Sequence, residues 1–363
     1  MKLFPTGALR PATGAGRSAS LSAAEDLVQR TLAQHGLSTT PTTTGPDSLM
    51  HRVLSGSATA FQKPTAPAAP LPEGAQFLTA HQAGQGGGRA YRTYVPASAQ
   101  DGARNTATGI VMMLHGCTQT PEDFATGTGM NALADAGGFI VIYPEQSRGA
   151  NAQTCWNWFS PNDQRRDRGE PRILAEIARA AQAEYDVSPD RTFVAGLSAG
   201  GAMAVIMGRV HPETFGAVGV HSGLPFGAAN NVASAFAAMG GNAATPRAPD
   251  PAPQERITDS PRTIVFHGTS DSTVHPSNGE AVARDADWHG PAQSVQTIRH
   301  DSTGGRETRI TTSMAEGQAH LEHWVIEGLG HAWSGGQRAG SYTDPAGPDA
   351  SAEMVRFFFE DRT

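Results

Sequence analysis

The stretch Arg191-Thr-Phe-Val-Ala-Gly196-Leu-Ser198-Ala-Gly200-Gly201 joins a short apolar run, a Gly-x-Ser-x-Gly turn and the start of a helix-forming segment. An apolar run that feeds a tight turn and then a helix predicts a strand buried on both faces of a parallel sheet. Such a turn lifts the Ser198 hydroxyl above the sheet edge, and the helix N-terminus beneath it favours negative charge. Gly196 and Gly200, lacking Cβ atoms, let strand and helix approach closely around the turn. Ser198 is therefore a candidate nucleophile. The competing reading is a glycine-rich turn without chemistry.

Outward from this stretch the chain keeps the same rhythm. Short β-rich runs lie at Ala90–Val95, Gly109–Leu114, Phe139–Tyr143, Arg191–Ala195, Ala217–Val220, Thr263–Phe266 and Glu322–Ile326. Helix-forming stretches lie at Asn131–Ala136, Pro171–Tyr185, Gly201–Val210 and Ala350–Phe359, the last with Asp349 as its cap. Alternation of this kind predicts an α/β fold, a mostly parallel doubly wound sheet with helices on both faces. Residues 224–262, rich in Ala, Asn and Pro, interrupt the alternation and read as a cap or a long loop insertion.

Residues 1–75 have a different character. Ser22-Ala-Ala-Glu25 has capping-box spacing, and Leu27, Val28 and Leu32 follow on one helical face. The Thr/Pro/Ala-rich LSTTPTTTGPDS and QKPTAPAAPLPEG follow. The expectation is a short N-terminal helix with a partly flexible linker, then a catalytic domain over 76–363.

Composition removes several function classes. The 363 residues carry 27 basic and 34 acidic side chains, a net charge of −7, with no basic block. A non-specific nucleic-acid binder is basic, so that class is excluded. No run approaches the roughly 18 apolar residues of a membrane span. The first residues lack an apolar signal core, which reads either as a cytoplasmic protein or as one whose signal has been removed, so the compartment stays open. Two cysteines, Cys117 and Cys155, are too few for a disulfide framework or a four-thiolate zinc site.

A serine hydroxyl is a weak nucleophile until a base takes its proton. After an elbow of this type the acid follows in the chain, then the base. The run Thr263–Phe266 leads into His267-Gly-Thr-Ser-Asp271, which puts Asp271 on the same sheet edge as Ser198. The run Glu322–Ile326 leads into Glu327-Gly-Leu-Gly-His331-Ala-Trp333, which makes His331 the expected base. Asp285, Asp287 and Asp301 are weaker acids because no such strand precedes them. His300, His320 and His323 lie in or beside strands and read as structural, and His275 as a shaper of the acid loop.

An acyl-transfer site also needs donors for the oxyanion. Gly109–Leu114 ends in His115-Gly-Cys117-Thr-Gln119, so the backbone N–H groups of Cys117 and Ala199 are the expected oxyanion hole. Cys117 and Cys155 are either bridged or two free thiols. Trp156, Trp158 and Trp333 are candidates for an apolar substrate-binding wall, with ordinary core packing as the alternative. The chemistry calls for no metal and no cofactor.

Taken together, LHGCTQ, YPEQ, CWNWF, GLSAGGAM, HGTSDSTVHP and GLGHAW resemble the polyhydroxybutyrate depolymerase family of esterases over about residues 88–360. The resemblance implies an α/β-hydrolase fold and a serine carboxylesterase with Ser198, Asp271 and His331 as its triad. It implies an ester or polyester substrate, with short-chain hydroxyalkanoate polyesters or oligomers first. Feruloyl and acetyl-xylan esterases are the nearest rival, and many relatives are secreted. A non-catalytic polymer-surface binding protein is the rival from another class.

Overall fold

The computed structural model describes residues 71–83, 88–100, 107–242, 261–287, 295–301, 305–315 and 317–360. The expected N-terminal helix and most of its linker lie outside the described residues. So does 243–260 of the expected insertion.

Ten strands form one sheet: β1 (Gln76–Gln82), β2 (Arg89–Val95), β3 (Ile110–Leu114), β4 (Ile140–Pro144), β5 (Thr192–Leu197), β6 (Ala217–His221), β7 (Arg262–Gly268), β8 (Val295–Asp301), β9 (Thr308–Ala315) and β10 (Gln318–Ile326). Their spatial order is β1-β2-β4-β3-β5-β6-β7-β10-β9-β8. The centre is parallel, from β4 through β10. The pairs at the two ends, β1–β2–β4 and β10–β9–β8, are antiparallel. This is the α/β-hydrolase architecture, with a β8–β9 hairpin added beyond β10.

Every residue of β3, β4, β5 and β6 is buried. Alternation along β3 shows why such runs are apolar throughout. Ile110, Met112 and Leu114 enter one core, and Val111 and Met113 enter the other. The first core is closed by α3 (Gly169–Tyr185) and α4 (Ala199–Val210) through Leu174, Ile177, Met203 and Met207. The second is closed by α7 (Ala350–Phe359), which brings Met354, Phe357 and Phe358 onto the sheet. Phe358 stacks on Phe193 of β5 with centroids 4.9 Å apart. Asp349 caps α7 by accepting the Ala352 N–H.

The sequence reading misses β1, β8 and β9, and also α1 (Pro121–Thr128), α5 (Val232–Met239) and α6 (Ser277–Ala286). β1 lies at the sheet edge and is partly exposed, so its residues carry no apolar run. β9 alternates Thr, Arg and Ser with few apolar residues. α1 contains Gly127 and two threonines, all poor helix formers. Thr120 caps it, Pro121 starts it and Phe124 buries it. α2 (Met130–Gly137) follows directly. Within 224–242 the chain forms α5, tied to the loop after β7 by His275 N–H to Met239 O (2.8 Å) and to α6 by Asn278 Nδ2 to Ala238 O (2.9 Å). No helix among the described residues is long and apolar enough to cross a membrane.

The topology itself fixes where a site forms. After β3 the chain places β4 on one side of it, then returns to place β5 on the other. Loops leaving the carboxyl ends of β3 and β5 diverge there and open a crevice.

Candidate active site

Ser198 follows the last residue of β5 and precedes the first residue of α4. Its backbone is left-handed, φ 57° and ψ −119°, a conformation that non-glycine residues avoid. The surroundings enforce it. A Cβ on Gly196 would fall 2.4 Å from the Gly200 carbonyl, and one on Gly200 would fall 2.0 Å from Leu114 O. Strand, turn and helix are thus packed backbone to backbone. The Ser198 N–H donates to His221 O at 2.9 Å, which continues the β5–β6 ladder past the strand end.

Asp271 lies in the loop after β7 and His331 in the loop after β10, and these two strands are neighbours. The His331 Nδ1–H meets Asp271 Oδ2 at 2.7 Å, and both residues are buried. The other carboxylate oxygen, Oδ1, accepts the N–H groups of Thr273 (2.9 Å) and Val274 (2.8 Å). His267 Nε2 lies 3.5 Å from Oδ2 and donates to Val274 O at 2.9 Å. Burial alone would raise the Asp271 pKa. The His331 and His267 imidazoles outweigh it and hold the carboxyl well below the usual carboxylate range. The Asp271 carboxyl is therefore ionised. With Nδ1 of His331 engaged, Nε2 is the ring atom left to take a proton.

The other side of Ser198 is the loop after β3. The Gly116 N–H donates to Gln119 Oε1 (2.9 Å) and the Thr118 N–H to Gln153 O (2.8 Å). The Cys117 N–H lies between these two and has no acceptor among the described residues. Ala199 is the first residue of α4, whose opening amides have no partner within the helix. Cys117 and Cys155 are joined by a disulfide, which ties this loop to the segment after β4.

Beneath the loop lies a buried polar network. His115 Nε2 accepts the Gln146 N–H at 3.1 Å, and its Nδ1 meets Gly116 O at 2.8 Å. Gln146 also pairs with Arg89 and Glu170. Glu170 accepts both the backbone N–H and the side-chain amide of Asn157 at 2.8 Å. Burial raises the Glu170 pKa, against the hydrogen bonds and the Arg89 charge that lower it. Burial also pulls His115 down to about 4, so its ring is neutral.

The tryptophans require a correction. Trp156 is 0% exposed, and its Nε1 donates to His115 O at 3.0 Å. Trp333 is 1% exposed, stacks on His221, meets Phe124 edge-on and donates to Ser351 Oγ. Neither offers a free face to a ligand. The apolar wall expected from them is instead internal support, because each indole N–H and ring face is already engaged. Trp158 is buried too, edge-on to Phe159. Of the histidines read as structural, His323 is buried and burial lowers it to about 4; His275, read as a shaper of the loop of Asp271, pairs through Nδ1 with Ser277 Oγ.

Sequence reasoning missed His221, His267, Gln119, Gln146 and Glu170. His221 and His267 each stand near the carboxyl end of an apolar strand, in register with the nucleophile and acid strands. A polar residue at such a strand end is a signal that was readable. Gln146 stands in YPEQ with nothing local to mark its role.

The sequence profile described as esterase PHB depolymerase matches residues 89–288. Poly(3-hydroxyalkanoate) depolymerase C of Paucimonas lemoignei is 33% identical over 61% of this chain and 54% of its own. The probable acetylxylan esterase A of Aspergillus fumigatus is 30% identical over 48% of this chain and 49% of its own. The chain thus spans about half the length of these curated relatives. Among solved structures, an acetyl xylan esterase from Aspergillus awamori superposes with a TM-score of 0.55 at 20% identity. It covers 79% of this chain and 98% of that one, a likeness of fold.

Proposed function

Because the chain belongs to the esterase PHB depolymerase family, we propose that it is a serine carboxylic ester hydrolase working through an acyl-enzyme. The observation that carries this reading is the buried Asp271–His331 pair at 2.7 Å, on the same sheet edge as a serine held at a left-handed turn. Ser198 Oγ attacks the ester carbonyl carbon while its proton passes to His331 Nε2. Asp271 orients the imidazole and stabilises its charged form. The N–H groups of Cys117 and Ala199 receive the oxyanion. The tetrahedral intermediate collapses, the carbon–alkoxide bond breaks, and His331 returns the proton to the leaving alcohol. Water then gives its proton to His331 and attacks the acyl carbon, releasing the acid and regenerating Ser198.

The substrates proposed are short-chain hydroxyalkanoate polyesters and oligomers, or related short-chain esters. The similarity to an enzyme named as a poly(3-hydroxyalkanoate) depolymerase supports this class. A second reading, a feruloyl or acetyl-xylan esterase, is favoured by the similarity to a probable acetylxylan esterase. Turnover of hydroxybutyrate oligomers, polyhydroxybutyrate film, methyl ferulate and acetylated xylan separates the two. Ser198→Ala is expected to remove labelling by a fluorophosphonate and to lower kcat on p-nitrophenyl acetate by about 10⁴-fold or more. Wild-type turnover in that variant refutes the catalytic assignment, and a folded wild-type protein that takes no label favours a binding protein.

A further inference from the structure

His221 is the last residue of β6 and is fully buried. Its contacts reach the Ser198 turn, the strand before Asp271 and the loop just past His331. Its main-chain oxygen accepts the Ser198 N–H at 2.9 Å. Its ring lies parallel to Phe266 of β7, the strand that leads to Asp271, with centroids 5.8 Å apart. Its other stacking partner is Trp333, at 5.1 Å, two residues beyond His331. Its Nε2 accepts the Ser334 N–H at 3.0 Å.

We propose that His221 is a positioning residue, whose neutral imidazole holds the loop carrying His331 in register with the Ser198 turn. The inference rests on the reading of Ser198 and His331 as nucleophile and base. An amide N–H donates only to an unprotonated ring nitrogen, so Nε2 keeps its lone pair and the ring proton sits on Nδ1. Ser222 Oγ, 3.3 Å from Nδ1, is placed to accept that proton. Stacking on Phe266 and Trp333 restrains the ring from rotating away. Nucleophile and base come from distant parts of the chain, and one residue ties their supports together, by its carbonyl on one side and its side chain on the other.

Phenylalanine at this position keeps the ring and its stacking but removes the acceptor, and glutamine restores an acceptor through Oε1. On p-nitrophenyl acetate, with active sites counted by fluorophosphonate labelling, His221→Phe is expected to lower kcat per labelled site about 10- to 100-fold, with KM within about threefold. His221→Gln is expected to recover most of that loss. Wild-type kcat per labelled site in His221→Phe overturns the inference. So does a loss confined to the number of sites labelled, which is what a purely structural role produces. If His221→Phe does not fold, Ser222→Ala takes its place. It releases the ring tautomer and is expected to lower kcat per site several-fold, and unchanged turnover there overturns the inference. Ser198→Ala tests the nucleophile separately. An inactive Ser198→Ala beside a fully active His221→Phe removes this inference alone.

Discussion

On one side of Ser198 the support comes from strand ends. β6, β7 and β10 lie side by side and deliver His221, Asp271 and His331 to one edge. On the other side a single strand, β3, delivers the loop of Cys117. That loop is held from below by Arg89, Gln146, Asn157 and Glu170, and sideways by the Cys117–Cys155 bridge. A buried histidine serves each side in the same way. His115 accepts the Gln146 amide and His221 the Ser334 amide, each through Nε2. Parallel-strand register brings the candidate acid and base to one edge, where the His221 ring adds side-chain support. The loop proposed to supply the Cys117 amide diverges from the β5 turn after β3 and is held by a covalent tie and a buried polar network.

This difference predicts unequal losses. Asp271→Asn keeps the shape of the acid but removes the charge that faces the His331 Nδ1–H. The expected loss in kcat is about 10³- to 10⁴-fold, read on any soluble ester. Replacing both Cys117 and Cys155 by alanine touches the other side. The bridge spans a sequence separation of 38, and its removal is expected to cost about 2–4 kcal/mol of stability. Turnover is expected to fall only about tenfold, less than the 10²–10³ lost when an oxyanion donor is deleted, because the Cys117 backbone N–H remains. Thermal denaturation and steady-state kinetics on the double variant check both. A loss as large as that of Asp271→Asn would break the comparison, since the bridge would then matter as much as the acid.

The same contrast explains what was legible in the chain. The doubly wound sheet and its central strands were readable because fully buried parallel strands must be continuous apolar runs, and the family with its α/β-hydrolase fold because six ordered motifs resemble it. Ser198, Asp271 and His331 were readable as candidates because each lies just past the carboxyl end of a predicted strand. The outer strands β1, β8 and β9 were not, since a strand at the sheet edge or with a partly exposed face needs no apolar run. Nor was the network under the Cys117 loop. Arg89, Gln146 and Glu170 lie far apart in sequence and meet only once β2, β4 and α3 have packed. Tryptophans near motifs invited a surface reading, yet Trp156 and Trp333 are core residues whose indole N–H groups find internal acceptors.

Acid stability offers a finer test, because the two sides hold their histidines alike. Burial pulls His115 down to about 4 and His221 to about 3, both from an ordinary 6.5. His323, on β10, is likewise lowered to about 4. Each of these rings takes up a proton in the unfolded chain at a higher pH than in the folded one. Between pH 6.5 and about 4 these rings bind more protons in the unfolded state, so the stability they contribute falls as the pH is lowered through that window. Asp271 acts in the same direction but lower down. Its depressed carboxyl stabilises the fold above the unfolded value of 3.8, and that contribution is lost only as the pH drops below it. Urea midpoints measured from pH 7 to 4.5 are thus expected to fall steadily, without a contribution from the acid. His115→Gln and His221→Gln each remove one titrating ring, so each should flatten that slope by up to one proton. Equal flattening by the two variants supports matched roles on the two sides. A slope untouched by His115→Gln would mean that the Cys117 loop does not depend on a neutral ring beneath it, and the parallel between His115 and His221 would fail.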